Sequence, residues 1–260
     1  MHENVIFCYS GTGNCLDLAK NIAQGLGGAD IVMMRSAPAV TDVREAKRVG
    51  FVFPCYGGSA PEDVLRHAKL LQISPEAYTF AVSQSAVYPG TGLSRLNDIV
   101  PLKYWRTAPH HCSCIWLFPH KLMLPLLSVE KAQKRSEALA AEIAREVLSG
   151  KQSPKKPPRN VLNVAENKVW PLISGAKVQG FKVSDACVAC GQCVRLCPRK
   201  NIQLINGKVI IGSNCAQCLG CLQYCPQSAI SIGKITDKRE HYHNPNVAAA
   251  ELMESVIHVG

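Results

Sequence analysis

Between Cys187 and Pro226 the chain uses one cysteine spacing twice. The first copy is Cys187, Cys190, Cys193 and Cys197, closed by Pro198; the second is Cys215, Cys218, Cys221 and Cys225, closed by Pro226. Both read C-x2-C-x2-C-x3-C-P. Three thiolates at this spacing converge on three irons of one cubane, while the fourth points away to a neighbouring cubane and the proline ends the ligand loop. On that rule one [4Fe-4S] cluster takes Cys187, Cys190, Cys193 and Cys225, and the other takes Cys215, Cys218, Cys221 and Cys197. Zinc is served by four ligands, usually in two separated pairs, and has no use for the third cysteine of each run. Disulfides need an oxidising compartment. The opening Met1-His-Glu-Asn has neither the basic segment nor the cleavage signal of a secretory leader, so none is expected and a reducing cytoplasm is the expected setting.

With every ligand position filled, this stretch resembles the bacterial 2[4Fe-4S] ferredoxins. The resemblance implies a small α+β ferredoxin-like domain that passes electrons. Its halves repeat beyond the cysteines: Cys197-Pro-Arg-Lys-Asn-Ile202 matches Cys225-Pro-Gln-Ser-Ala-Ile230. Each half is expected to run cluster loop, short helix, strand, and Phe181-Lys-Val183 to open the unit as a strand.

The other end of the chain has a different rhythm. Val5-Ile-Phe-Cys-Tyr9 reads as a buried strand, Ser10-Gly-Thr-Gly-Asn14 as a glycine-rich loop, and Leu16, Leu18, Ala19, Ile22, Ala23 and Leu26 as one face of a helix. Strand, small-residue loop and helix together form a phosphate cradle: backbone N–H groups turn inward, hydroxyls donate, and the helix N-terminus adds positive potential. There is no Walker lysine and no G-x-G-x-x-G, so a terminal phosphate monoester fits better than a triphosphate. Further strands are expected at Ile31–Met34, Val49–Phe53, Tyr78–Val82 and His111–Leu117. Helices are expected near Glu62–Leu71, Gly92–Ile99 and Glu130–Leu148. This alternation predicts a doubly wound parallel sheet, whose ligands sit at the carboxyl ends of the strands.

The loop at Ser10, Thr12 and Gly13 is similar to the phosphate loop of flavodoxins, departing only where Cys15 replaces a hydroxyl residue. The resemblance implies FMN, held by Ser10, Gly11, Thr12, Gly13, Asn14 and Cys15. Two further loops would flank its ring: Pro54, Cys55, Tyr56, Gly57 and Gly58, with Tyr56 stacking, and Ser83, Gln84, Ser85 and Tyr88. The whole chain resembles the flavodoxin–ferredoxin fusions of anaerobic bacteria, the EFR-type ferredoxins. That implies a flavodoxin-like domain over 1–150, a linker or strap over 151–180, the ferredoxin-like domain over 181–234 and a tail over 235–260. Lys151–Arg159 is proline-rich and basic, as a semi-rigid linker is. In the tail, Asn244 and Pro245 are expected to start an amphipathic helix over Ala248–Ile257.

Composition fits an ordinary globular chain, 47% hydrophobic and 18% charged. The formal charge of +10 falls to about +4 once two cubanes and a flavin phosphate are counted at roughly −2 each. The remainder favours a redox partner with an acidic docking surface. Nucleic acid is not expected, because the basic residues form no stripe with interleaved aromatics. No apolar run is long enough for a membrane span; the best, Cys114–Val129, is broken by Pro119, His120, Lys121 and Pro125. His110-His-Cys-Ser-Cys114 is a metal candidate, for which buried apolar cysteines are the simpler account. The expected activity is electron relay between two clusters and FMN, to or from a partner. The alternative is an FMN-dependent reductase of a quinone or nitro compound fed by its own clusters.

With so few residues in the cysteine-rich unit, the clusters must stand in for much of its core, and the unit is expected to be unfolded without them. Limited proteolysis and circular dichroism of apo and reconstituted protein should show cleavage within 181–234 in the apo form alone. An apo unit that resists protease would contradict this.

Overall fold

The computed structural model describes residues 2–35, 38–86, 88–110, 128–159, 180–236 and 240–260. Apolar side chains on both sides of Val5–Tyr9 produce a strand covered on both faces. In β1 (Asn4–Cys8) every residue is buried, with Ile6 and Cys8 in one apolar cluster and Val5, Phe7 and the following Tyr9 in another. The chain continues through α1 (Asn14–Gly25), β2 (Ala29–Met33), β3 (Arg48–Pro54), α2 (Glu62–Leu70), β4 (Tyr78–Ser85), α3 (Gly92–Asn97), β5 (Tyr104–Pro109) and α4 (Val129–Leu148). Strands β2-β1-β3-β4-β5 lie side by side and all run parallel. This is the flavodoxin-like doubly wound order, whose ligand crevice opens where the winding reverses, beyond β1 and β3. Leu16 and Ile22 of α1 and Ile143 and Val147 of α4 cover one face. Val64 and Leu65 of α2 and Leu93 and Leu96 of α3 cover the other.

Two expectations are corrected. The fifth parallel strand is Tyr104–Pro109, paired with Phe80–Ser85; the expected strand at His111–Leu117 lies outside the described residues, as does all of the metal candidate beyond His110. Arg106 hides the strand in the sequence, yet its charge is met by Glu142 at 2.6 Å. The outer edge of β5 is covered by the basic linker, whose Ser153 hydroxyl and Lys155 carbonyl accept from the Trp105 backbone and indole N–H at 3.0 and 2.8 Å. The tail holds no amphipathic helix over Ala248–Ile257. It makes one 3-10 turn at Glu251–Met253 and then β10 (Val256–Val259), antiparallel to β2. The β2 edge would otherwise present unpaired backbone groups, and Val-Ile-His-Val is a good strand sequence. His258 Nδ1 lies 2.6 Å from the buried Asp30 carboxylate, tying the last strand down.

The cysteine-rich unit contains β6 (Phe181–Val183), α5 (Gln192–Leu196), β7 (Ile202–Ile205), β8 (Lys208–Ile211), α6 (Gly220–Gln223), β9 (Ile230–Ile232) and α7 (Gly233–Thr236). β6 pairs with β9, and β7 with β8, both antiparallel. Its own apolar centre is Leu219, Leu222, Ile230 and Ile232, ringed by Cys193, Cys221 and Cys225. Among the described residues no helix is long and apolar enough to cross a membrane.

In the middle of the parallel sheet Gly50 sits beside Phe80, and a Cβ at Gly50 would come within 2.3 Å of the ring. Gly50→Ala should therefore destabilise the protein by about 1–3 kcal/mol through overpacking. Adding Phe80→Leu should recover part of that loss, so that the double variant costs less than the sum of the singles. Urea unfolding under anaerobic conditions reads this directly; strictly additive losses would contradict the contact.

Candidate functional site

The two cysteine runs share a backbone pattern. Ala189 and Gln217 stand before the second cysteine of each run with φ of 54° and 57°, Gly191 and Leu219 follow it at 71° and 64°, and Lys200 and Ser228 follow the fourth cysteine at 51° and 47°. A left-handed conformation costs an ordinary residue roughly 1–2 kcal/mol, and it persists only where the surroundings impose it. What it yields here is a concave run of N–H groups of the kind that binds anions. The N–H groups of Gln217, Asn201 and Ala229 each lie 3.3 Å from a cysteine sulfur, those of Cys215, Cys197 and Cys225 respectively.

The eight sulfurs fall into two groups. Cys193 lies in the field of Cys190, Cys225 and Cys187. Cys218 lies in that of Cys215 and Cys197, and Cys221 in that of Cys218, Cys215 and Cys197. The fourth cysteine of each run thus stands with the other run, and the groups adjoin, since Cys221 also feels Cys193. Burial pushes up the thiols of Cys193, Cys215 and Cys221, and that of Cys218 to about 12. Thiols in this state keep their protons at neutral pH, so cluster uptake must release them. Among the described residues no three His, Cys, Asp or Glu side chains are gathered closely enough to hold a single metal ion. The groups differ in setting: Cys190 of the first is exposed, whereas the second is pressed against the parallel sheet.

That contact falls on the rim where β1 and β3 end. The loop Ser10–Gly13 leads into α1, with Gly13 at φ 89° and no side-chain cap, so the helix presents its first N–H groups as a phosphate cradle does. The chain itself covers this loop. A Cβ on Gly11 would lie 2.0 Å from the Cys218 carbonyl oxygen, and one on Gly13 would meet the Tyr224 hydroxyl at 2.6 Å. The Asn244 N–H donates to the Thr12 carbonyl at 2.8 Å, and the Tyr242 hydroxyl donates to Asn14 Oδ1 at 2.8 Å. Asn244, fully buried, also donates from Nδ2 to Asn14 Oδ1 and Asp17 Oδ2, both at 3.2 Å. Around this seam Arg199 clasps the buried Asp63 with Nε at 2.9 Å and Nη2 at 2.8 Å. Arg35 donates to the carbonyls of Leu252 and Arg195 at 2.6 and 2.7 Å.

The other two loops are drawn together as well. The Cys55 N–H donates to the Gln84 carbonyl at 2.8 Å and the Thr91 N–H to the Gly58 carbonyl at 2.7 Å. Gly90 lies so close to Gly58 that a Cβ would be 2.1 Å from its carbonyl oxygen. Beyond Pro54, the last residue of β3, Gly57 and Gly58 form the turn next to Tyr56, whose ring meets that of Tyr9 at 79° with centroids 6.4 Å apart. Cys15 is buried and donates its thiol to Gln84 Oε1 at 3.4 Å. Ser83 and Ser85 are buried, while Tyr88 lies outermost. The loop Ser10–Asn14 suits a phosphate in kind. Its sides are nevertheless filled by Cys218, Tyr224 and Asn244, and the loops expected to flank an isoalloxazine ring bond to each other. Among the described residues the loop Ser10–Asn14 is covered by the chain itself.

Reading by motif did not find the residues that join the two units: Arg35, Asp63, Arg199, Tyr224, Tyr242 and Asn244. They lie far apart in the chain and follow no spacing rule. Asn244-Pro-Asn was a visible signal, but of a helix start. The left-handed positions were detectable in principle, because aligning the two cysteine runs places Gly191 opposite Leu219.

Residues 181–203 match the family of 4Fe-4S binding domains, which assigns a [4Fe-4S] cluster and a redox role in electron transfer to this chain. No curated protein matches it. Among solved structures it is similar to an FMN-dependent NADH-azoreductase from Bacillus anthracis, solved in complex with FMN, at 5% identity over 55% of this chain and 98% of that one, with a TM-score of 0.40. It is also similar to a flavodoxin from the Archaea, at 11% identity over 56% of this chain and 99% of that one, with a TM-score of 0.32. A third is the rubredoxin oxygen:oxidoreductase of the anaerobe Desulfovibrio gigas, at 11% identity over 57% of this chain and 37% of that one, with a TM-score of 0.37.

If each run holds a cluster and the fourth cysteines cross as the spacing implies, Cys225→Ser should disturb the cluster of the first run, and Cys197→Ser that of the second. Mössbauer spectra or EPR spectra of the reduced forms distinguish the two centres. A Cys225→Ser variant that alters only the second run's cluster would show that the runs bind separately.

Proposed function

We propose that this chain is an electron carrier that holds two [4Fe-4S] clusters side by side and exchanges electrons with a partner protein at the outer one. The observation that carries this reading is that Cys193, Cys221 and Cys225 pack around one apolar centre, with the fourth cysteine of each run in the field of the other run's cysteines. Each set supplies four thiolates, so no iron is left open to bind a substrate, and what such clusters supply is the passage of single electrons. No side chain need act as acid, base or nucleophile. The chain's own contribution is to hold the thiolates, to place N–H groups against their sulfur, and to exclude water from the inner set, each of which sets potential.

The outer set faces solvent at Cys190, beside Val188, which is 62% exposed. Arg195, whose guanidinium lies 3.5 Å from the Cys190 carbonyl, and the exposed Lys182 and Lys200 give this end a positive character. An acidic partner would be steered there. No step of the relay is routed through FMN.

Anaerobic reconstitution should give about eight irons per chain and reversible reduction. Arg195→Glu should keep the iron but slow reduction of an acidic flavodoxin several-fold at low ionic strength, the gap closing by about 0.5 M salt. Equal rates for both proteins at every salt concentration would remove the proposed docking end.

A further inference from the structure

We propose that the Tyr9 hydroxyl donates a hydrogen bond to a sulfur of the inner cluster, the one held by Cys197, Cys215, Cys218 and Cys221, and thereby raises its reduction potential from the sheet side. This rests on the two-cluster reading above. Tyr9 is 2% exposed, and its hydroxyl has no hydrogen-bond partner among the described residues. A buried hydroxyl left unpaired costs roughly 1–3 kcal/mol. On the same face of the strand Val5 and Phe7 carry no polar atom, so a phenylalanine at position 9 would avoid that cost. The hydroxyl therefore calls for an acceptor that is not one of the surrounding protein groups.

The surroundings identify it. Cys218 packs against the apolar cluster that contains Tyr9, and two residues further on Gly11 touches the Cys218 carbonyl. Tyr9, Gly11, Pro198, Cys218 and Gly220 line one common pocket. The nearby carboxylate of Asp63 is already engaged by Arg66 at 2.5 Å and Arg199 at 2.8 Å. The Tyr56 ring meets that of Tyr9 at 79° with centroids 6.4 Å apart, and its hydroxyl does not bond to Tyr9. The acceptor assigned is therefore a sulfur of the inner cluster, whose Cys218 loop shares the pocket with Tyr9. A phenol is an ordinary O–H donor at neutral pH. Reduction adds one electron to the cluster and no proton leaves the phenol. The bond strengthens as negative charge grows on sulfur, and so favours the reduced form.

The test is an EPR-monitored redox titration of the anaerobic, fully loaded chain, wild type against Tyr9→Phe. One of two potentials should fall, by up to a tenfold change in the reduction equilibrium, which is 59 mV for one electron; the other should stay. Placing 3-fluorotyrosine at position 9, a stronger donor of nearly the same size, should move the same potential upward. About eight irons with both potentials unchanged in both variants would overturn the inference and leave the two-cluster reading intact. If the phenylalanine variant fails to load, an unmoved potential in the fluorotyrosine protein overturns it alone. About four irons in the wild type would overturn the two-cluster reading, and the inference with it.

Discussion

One backbone contact decides how the two halves of this protein are used. Gly11 lies so near the Cys218 carbonyl that a single added carbon would stand 2.0 Å from its oxygen. That closeness brings the ligand loop of the second cysteine set onto the rim of the parallel sheet. It makes Arg199 and Asp63 a partly buried pair rather than two surface charges. Such a pair is costly to break from one side, by roughly 3–5 kcal/mol, because the remaining charge stays out of water. The pair is therefore better seen as fixing the register of the two units than as a source of net stability. Arg35 plays a related part, donating to the carbonyls of both Arg195 and Leu252.

The cysteine-rich unit depends on its cofactors in a way the sheet does not. Four buried aliphatic residues are a small centre for a segment of this length, and cysteines surround them. Six non-glycine residues in left-handed conformations, five of them in the cysteine loops, add strain. Both features make sense if sulfur and iron complete the core, since the N–H groups released by those turns point at sulfur. The asymmetry between the sets follows from docking. The same loop geometry serves both, but one set keeps an exposed cysteine and the other is walled by Tyr9 and Gly11. Two chemically alike cysteine sets thereby acquire different surroundings, the condition for different potentials in any clusters they hold.

Much of this was legible in the chain. The alternation of Val5–Tyr9 with the α1 stripe, and its recurrence through Val49–Phe53 and Tyr78–Val82, is a local signal and placed four of the five parallel strands. The cysteine spacing is local too, and the crossed sets follow from it. Arg106 concealed β5, because a charge inside a strand reads as a break unless its partner on α4 is known. The tail was misjudged for a similar reason: Val256–Val259 is a good strand sequence, but its partner, the unpaired edge of β2, lies more than 200 positions away. The docking residues were illegible, since their meaning lies wholly in neighbours more than 100 positions away, as with Arg199 and Asp63.

The rim itself shows why a fold does not determine its ligand. A doubly wound sheet offers a crevice beyond β1 and β3 whatever comes to lie there. A free flavin would have to give up its freedom of motion on binding, whereas the Cys218 loop is already tethered by the chain and arrives at high effective concentration. The tail strengthens that advantage, because Tyr242 and Asn244 satisfy the side chain of Asn14 and the carbonyl of Thr12 without any cofactor. Any flavin at this rim must therefore displace several satisfied hydrogen bonds before it makes one of its own. The sheet serves as a wall for the Cys218 loop, and the loop built like a phosphate cradle becomes the surface on which the two meet.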